Sequence, residues 1–222
     1  MREGESNGRH SSREGAASTP APATGGPCLE CGENHGGSAN GGLPADVDHL
    51  AEACVRYVEQ ATGVRLDYEA ETLPVLDHYL ASRRADLRGQ PEAQNLILRA
   101  VGAYFGEVFR RRVGGFWRVE DDPIHWEVCA EPVYLSFCPF AVAYDALYFG
   151  DDGGPTSKIQ LDDEDRDLVD ARLAELPAVS EEEFYQLATR LEVLDIAVDA
   201  VKNRMIEAGL GNVAFGLDDY KT

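Results

Sequence analysis

From Pro44 onward, apolar residues recur at helical spacing. Val47, Leu50, Cys54, Val58 and Ala61 predict a first helix over about 46–62, with Asp46 as its N-cap and Gly63 as its stop. A short connector over 64–68 leads to Leu73, Leu76, Tyr79 and Leu80, the apolar face of a second helix. Pro74 is tolerated there because it falls in the first turn, and Arg83, Arg84 and Arg88 near the far end suit the helix dipole. Pro91 opens a third helix that is apolar nearly all round and closes at Gly114-Gly115, which predicts the core helix of the fold. Gly102 and Gly106 lie four apart inside it, where each costs about 1 kcal/mol relative to alanine, so another backbone is expected to cross closely there.

Past Gly115 the apolar period shortens toward two. Strands are expected over 116–119, 125–129 and 133–137, separated by Asp121-Asp122-Pro123 and Glu131-Pro132. Pro139 then opens a helix through Leu147 that ends in the 150–155 loop. Asp162 or Asp163 caps the next, with Leu168, Ala171, Leu173 and Leu176 inward. Ser180 and Glu183 form a capping box before a last helix over 181–208, stopped by Gly209. The pattern as a whole predicts a mostly helical α+β fold of about six helices with a small antiparallel sheet of two or three strands. One domain is expected over 44–208, followed by a short tail over 209–222 whose apolar knot runs from Leu210 to Leu217.

Composition changes this picture mainly at the start. Residues 1–43 are so rich in Gly, Ser, Ala and Pro, and so poor in large apolar side chains, that burial cannot offset the entropy of ordering them, and a disordered tail is expected. The rest has an ordinary apolar supply, 44% hydrophobic over 222 residues. No apolar run approaches the roughly 18 residues of a membrane span and no hydrophobic stretch opens the chain, so a cytoplasmic home is expected. The five cysteines, an odd and scattered set, read as free thiols; Cys54, Cys129 and Cys138 lie among apolar neighbours and are expected to be buried.

Charge is distributed unevenly. Residues 1–43 carry 3 basic and 5 acidic side chains, residues 44–118 carry 10 and 11, and residues 119–222 carry 7 and 24. An acid surface of this size repels nucleic acid and anionic membrane and steers cationic partners inward. Asp151, Asp152, Asp162, Asp163, Glu164, Asp165 and Asp167 are therefore expected to form an acidic face that meets a basic protein partner.

Chemistry-bearing clusters are sparse. Cys28, Cys31 and His35 offer three of the four ligands a tetrahedral zinc takes, and a closed site would need His10, His49 or a second chain. The run from Asp162 to Asp167 is not an EF-hand loop, since the sixth and twelfth positions counted from Asp163 hold Leu168 and Ala174. It reads instead as a helix start rich in dipole-stabilised acids. His125, Glu127 and Cys129 alternate along an expected strand and, with Tyr144 nearby, mark the one groove where catalysis could be sought. Glu107 sits between Gly106 and Val108 in the apolar helix, and Arg110 and Arg111 stand at the i+3 and i+4 offsets expected of a structural ion pair. Phosphate-binding glycine loops, metalloprotease and nucleophile-elbow motifs do not occur, which disfavours nucleotide and DNA binding, and no residue is assigned a catalytic role.

The segments Gly102-Ala-Tyr-Phe-Gly-Glu-Val108, Gly114-Gly-Phe-Trp117, Pro139-Phe140, Leu66-Asp-Tyr68 and Leu76-Asp77 resemble a small bacterial domain found in uncharacterised proteins and in some immunity proteins of polymorphic toxin systems. The likeness spans about residues 47–150. It implies that the glycine-bearing helix, with Gly102, Gly106 and Glu107, packs on a hairpin that starts at the Gly-Gly-Phe-Trp turn and includes Trp117. The expectation is a non-catalytic binding protein without a cofactor, zinc on the tail excepted. Neutralising a basic toxin domain is its most concrete form. Alternatives are an assembly component docked through the C-terminal tail and an enzyme using the His125 groove.

Overall fold

A computed structural model describes residues 44–150, 154–155 and 157–221. Residues 1–43, with Cys28, Cys31 and His35, lie outside this set, as do Asp151 and Asp152. The helices are α1 (Ala45–Thr62), α2 (Leu73–Leu87), α3 (Pro91–Val113), α4 (Pro139–Tyr148), α5 (Asp163–Ala174), α6 (Glu181–Phe184) and α7 (Leu187–Glu207). The strands are β1 (Gly115–Arg118), β2 (Glu127–Ala130), β3 (Leu135–Phe137) and β4 (Gln160–Leu161). The fold is mostly helical with a small antiparallel sheet in the order β1-β2-β3-β4. None of the described helices is long and apolar enough to cross a membrane.

α3 forms the centre because its sequence is apolar on every side: every residue from Ala100 to Phe109 is buried. α1 and α4 pack against it, and the two glycines permit the α4 crossing. A Cβ at Gly102 would come within 2.6 Å of the Phe140 ring and 2.9 Å of its Cα, and one at Gly106 would overlap the Trp117 ring. The β1–β2 hairpin starts where α3 ends, with Gly115 opposite Ala130 and Arg118 opposite Glu127.

The architecture differs from expectation in several details: α1 has Pro44 and not Asp46 at its N-cap, and Ala171 and Leu176, expected inward, are exposed. His125 lies in a 3-10 turn over Pro123–His125, capped by the Asp122 side chain accepting from the Ile124 N–H at 3.1 Å, so β2 begins only at Glu127. A fourth strand of two residues, β4, pairs Leu135 with Leu161 and Ser136 with Gln160. The last helix is broken after a capping box on Ser180 and Glu183, because Gln186 turns extended (φ −66°, ψ 140°) and α7 starts afresh. Residues 209–221 are not a free tail. The Phe215 N–H donates to the Glu131 carbonyl at 2.8 Å and Tyr220 is buried against the sheet.

The restart of α7 leaves backbone donors that its own residues do not cap. Asp77 of α2 supplies the acceptors across the fold, taking the Leu187 N–H at 2.7 Å and the Ala188 N–H at 3.1 Å. Asp77→Ala is expected to lower stability by about 1–2 kcal/mol, with Asp77→Asn losing less because it keeps an acceptor, as read from urea midpoints. An unchanged midpoint in the alanine variant would show that water caps α7 equally well.

Candidate functional site

The acid-rich segment is built on α5, α6 and the turn between them. Asp162 stands at the α5 N-cap, and Asp163, Glu164 and Asp165 fill its first turn, where the helix dipole favours carboxylates. From Asp162 to Glu192 the chain holds eleven carboxylates against three guanidiniums, and ten of the eleven are exposed. The exception corrects the expected face. Asp165 is 1% exposed, one turn before buried Val169, and its carboxylate is held by Arg204 of α7 at 2.5 and 2.9 Å. Asp165 therefore joins α5 to α7 and presents no charge to a partner, whereas Asp162, Asp163, Glu164 and Asp167 remain outside with Asp170, Glu175, Glu181, Glu182 and Glu183.

Few of these outer charges are neutralised among the described residues. Arg204 also reaches Glu164 at 3.5 Å and Arg172 meets Glu175 at 3.2 Å, exposed contacts of small energetic weight, and half-buried Arg84 lies 3.7 Å from exposed Glu182. Glu183 is held below the usual glutamate range by the Ser180 backbone and hydroxyl hydrogen bonds, which keeps it anionic within its capping role.

Beside this face, α5, α6 and α7 with Gly154, Pro155, Ser157, Lys158, Ile159 and Leu161 enclose an open cleft of about 1220 Å³. Val169 and Leu173 of α5 face Val193 and Ile196 of α7, while Leu176, Val179 and Phe184 line the mouth, 46, 51 and 41% exposed. Arg190 enters from α7. It donates to the Ser157 carbonyl at 3.3 Å and hydroxyl at 3.1 Å, and its guanidinium lies 5.1 Å from the Phe184 ring. Burial lowers the Arg190 pKa, opposed by the charge of Asp145, which accepts a hydrogen bond from the Ser157 hydroxyl.

No protein-family model, curated protein or solved structure matches this chain.

A second hollow of about 850 Å³ lies on the other side of Lys158 and Arg166 and contains His125 and Glu127. The groove expected from the sequence comes together only in part. Cys129 is sealed in the core, with burial pushing its thiol up to about 12, and Cys138 is the cysteine that lines the hollow. Cys138 donates to the Ile124 carbonyl at 3.1 Å, and burial raises its thiol as well, so the nucleophilic thiolate is disfavoured at both. Tyr144 is not at the hollow but at Gly154, tilted against Tyr148 at 4.6 Å. The Glu127 carboxylate is occupied by Arg118 at 2.8 Å, Gln160 at 2.8 Å and Ser136 at 3.3 Å. Among the described residues no group of three His, Cys, Asp or Glu side chains is gathered for a metal ion.

Glu107 is a structural centre, completely buried in α3. It accepts from Arg110 at 2.7 and 3.1 Å, from Arg111 at 3.2 Å and from the Trp117 indole at 2.8 Å. The apolar cleft had no motif to announce it. Its one signal was a string of apolar residues, Leu173, Leu176, Val179 and Phe184, that runs on through the α5–α6 turn and past the end of either helix.

Proposed function

We propose that this chain is a non-catalytic binding protein whose α5–α6 face receives a basic protein, most concretely a basic toxin domain that it neutralises. The observation that carries the reading is the set of ten exposed carboxylates between Asp162 and Glu192, opposed there by three guanidiniums. A field of one sign attracts an oppositely charged partner at long range and turns away nucleic acid and anionic membrane. The likeness of residues 47–150 to immunity proteins of toxin systems supports the same class. A cytoplasmic home belongs to this proposal too.

The test is an association rate measured against a basic partner taken from the neighbouring gene. The rate is expected to fall at least tenfold between about 50 and 500 mM salt, and Asp163→Lys, Asp167→Lys and Asp170→Lys combined are expected to lower it by a similar factor. Binding indifferent both to salt and to charge reversal would reject electrostatic recognition. A second reading, assembly through residues 209–222, draws on Leu210, Val213 and Leu217, which stay exposed although Tyr220 is buried.

A further inference from the structure

The carboxylate face borders an apolar cleft that the described residues leave unfilled, and the two together describe an occupant. Leu173, Val193 and Ile196 are only half-buried in its walls, and Leu176, Val179 and Phe184 stand exposed at its mouth. Apolar surface left in water is surface that a matching apolar partner would bury with a gain in free energy. Asp170 and Glu192 lie in the lining itself, and Asp167, Glu181 and Glu182 lie close by in sequence on the same exposed segment. Of the three cations at the cleft, Arg190 is committed to Ser157 and Arg166 donates to the Leu161 carbonyl at 3.3 Å, while Lys158 lines the same end of the cleft with Gly154 and Pro155.

We propose that this cleft docks one amphipathic, lysine- or arginine-rich helix of a partner protein. Its apolar residues, at i, i+3 or i+4, and i+7, enter between α5 and α7, and its basic flank lies along the carboxylates. A helix fits better than an extended strand, because β4, the strand at this border, has only two residues and is too short a template for strand addition. The helix C-terminus points toward Lys158 and Arg166, where its carbonyl dipole meets cations. The inference rests on the acidic-face reading and adds where, and in what conformation, the partner is held.

Two fluorescein-labelled synthetic peptides of identical leucine and lysine composition test it on the full chain. One gathers its leucines on a single helical face; its isomer spreads them around the helix. The first is expected to bind at least tenfold more tightly at about 150 mM salt. Leu176→Ser, Val179→Ser and Phe184→Ser combined, all at exposed positions, should abolish that preference while leaving isomer binding and the circular dichroism spectrum unchanged. Val193→Asp in the wall should do the same. Equal affinity for the two peptides, both falling with salt, overturns the cleft proposal and leaves the acidic-face reading standing. Failure of both to bind at low salt overturns that reading and the cleft with it. Occupation by dodecanoate in place of the peptide overturns the proposal in favour of an anionic amphiphile at Arg190, Lys158 and Arg166.

Discussion

Replacing Glu107 with alanine is expected to destabilise the fold by about 3–5 kcal/mol, the range for removing one partner of a buried ion pair. In a domain of this size that lowers the thermal midpoint by about 6–20 °C. The size of the effect follows from what would be stranded. Glu107 is fully buried and takes four hydrogen bonds, two from Arg110, one from Arg111 and one from Trp117. Without it the Trp117 indole N–H, in a residue only 8% exposed, has no acceptor, and Arg110 keeps a charge beside the core without its counter-ion. Glu107→Gln, which retains the shape and one acceptor, should lose about 1.5–3 kcal/mol. Equal stability of the glutamine variant and the parent chain in urea would show that the charge is dispensable.

The acid limb of the stability curve carries the same information. Burial alone would raise the Glu107 pKa, but hydrogen bonds from Arg110, Trp117 and Arg111 outweigh it and hold the carboxyl below its ordinary 4.5. A depressed folded-state value means that its contribution is fully present above pH 4.5 and is lost as pH falls through the folded-state value. Glu107→Gln should therefore flatten the fall in stability below pH 4.5.

The i+3 and i+4 offsets within α3 name two of the Glu107 partners, since helical spacing is a local property readable without the fold. Trp117 is different. It lies ten residues on, beyond a turn at Gly114, and only the return of β1 beneath α3 brings its indole to the carboxylate. Gly102 and Gly106 likewise announce a close crossing, whereas Phe140 and Trp117 as the crossing groups emerge only from tertiary packing. β4 is two residues long, a single alternation that cannot repeat, so no periodicity exposes it. The break before α7 had half a signal: the capping box marks Ser180, but the donors freed at Leu187 and Ala188 are taken by Asp77, more than a hundred residues earlier. Asp165 was legible in principle, because it stands one helical turn before buried Val169 and so shares its inward face. A run of carboxylates reads as solvated unless the apolar period is carried back through it. The cleft was least legible, since it is bounded by the antiparallel pairing of α5 with α7 that Asp165 and Arg204 secure.

Ending the chain at Gly209 is expected to cost at least as much as Tyr220→Ala, about 3–5 kcal/mol by analogy with truncation of other buried aromatic side chains. Tyr220 is 3% exposed, with its ring stacked on Tyr134 at 4.7 Å and its hydroxyl set in the β2–β3 turn. The hydroxyl accepts from the Leu135 N–H at 2.9 Å and lies 2.8, 3.0 and 3.1 Å from the carbonyl oxygens of Ala130, Val133 and Leu135, donating to one of them at a time. Tyr220→Phe keeps the ring and leaves the buried Leu135 N–H without that acceptor, which should cost about 1–3 kcal/mol and speed exchange of the Leu135 amide. Burial also raises the Tyr220 pKa above its ordinary 10. A raised folded-state value means that its contribution holds below pH 10 and is lost as pH rises beyond it, so Tyr220→Phe should soften the alkaline fall in stability. A shortened chain with an unchanged urea midpoint would show that residues 210–222 merely rest on the sheet. The expected loss bears on the assembly reading, because a deletion that unfolds the sheet edge cannot distinguish a lost docking surface from a lost fold. Leu210→Ser, Val213→Ser and Leu217→Ser combined remove the exposed apolar groups and leave Tyr220 in place. Assembly that survives this triple variant but fails in the shortened chain would trace the requirement to the anchored tyrosine and not to a docking segment.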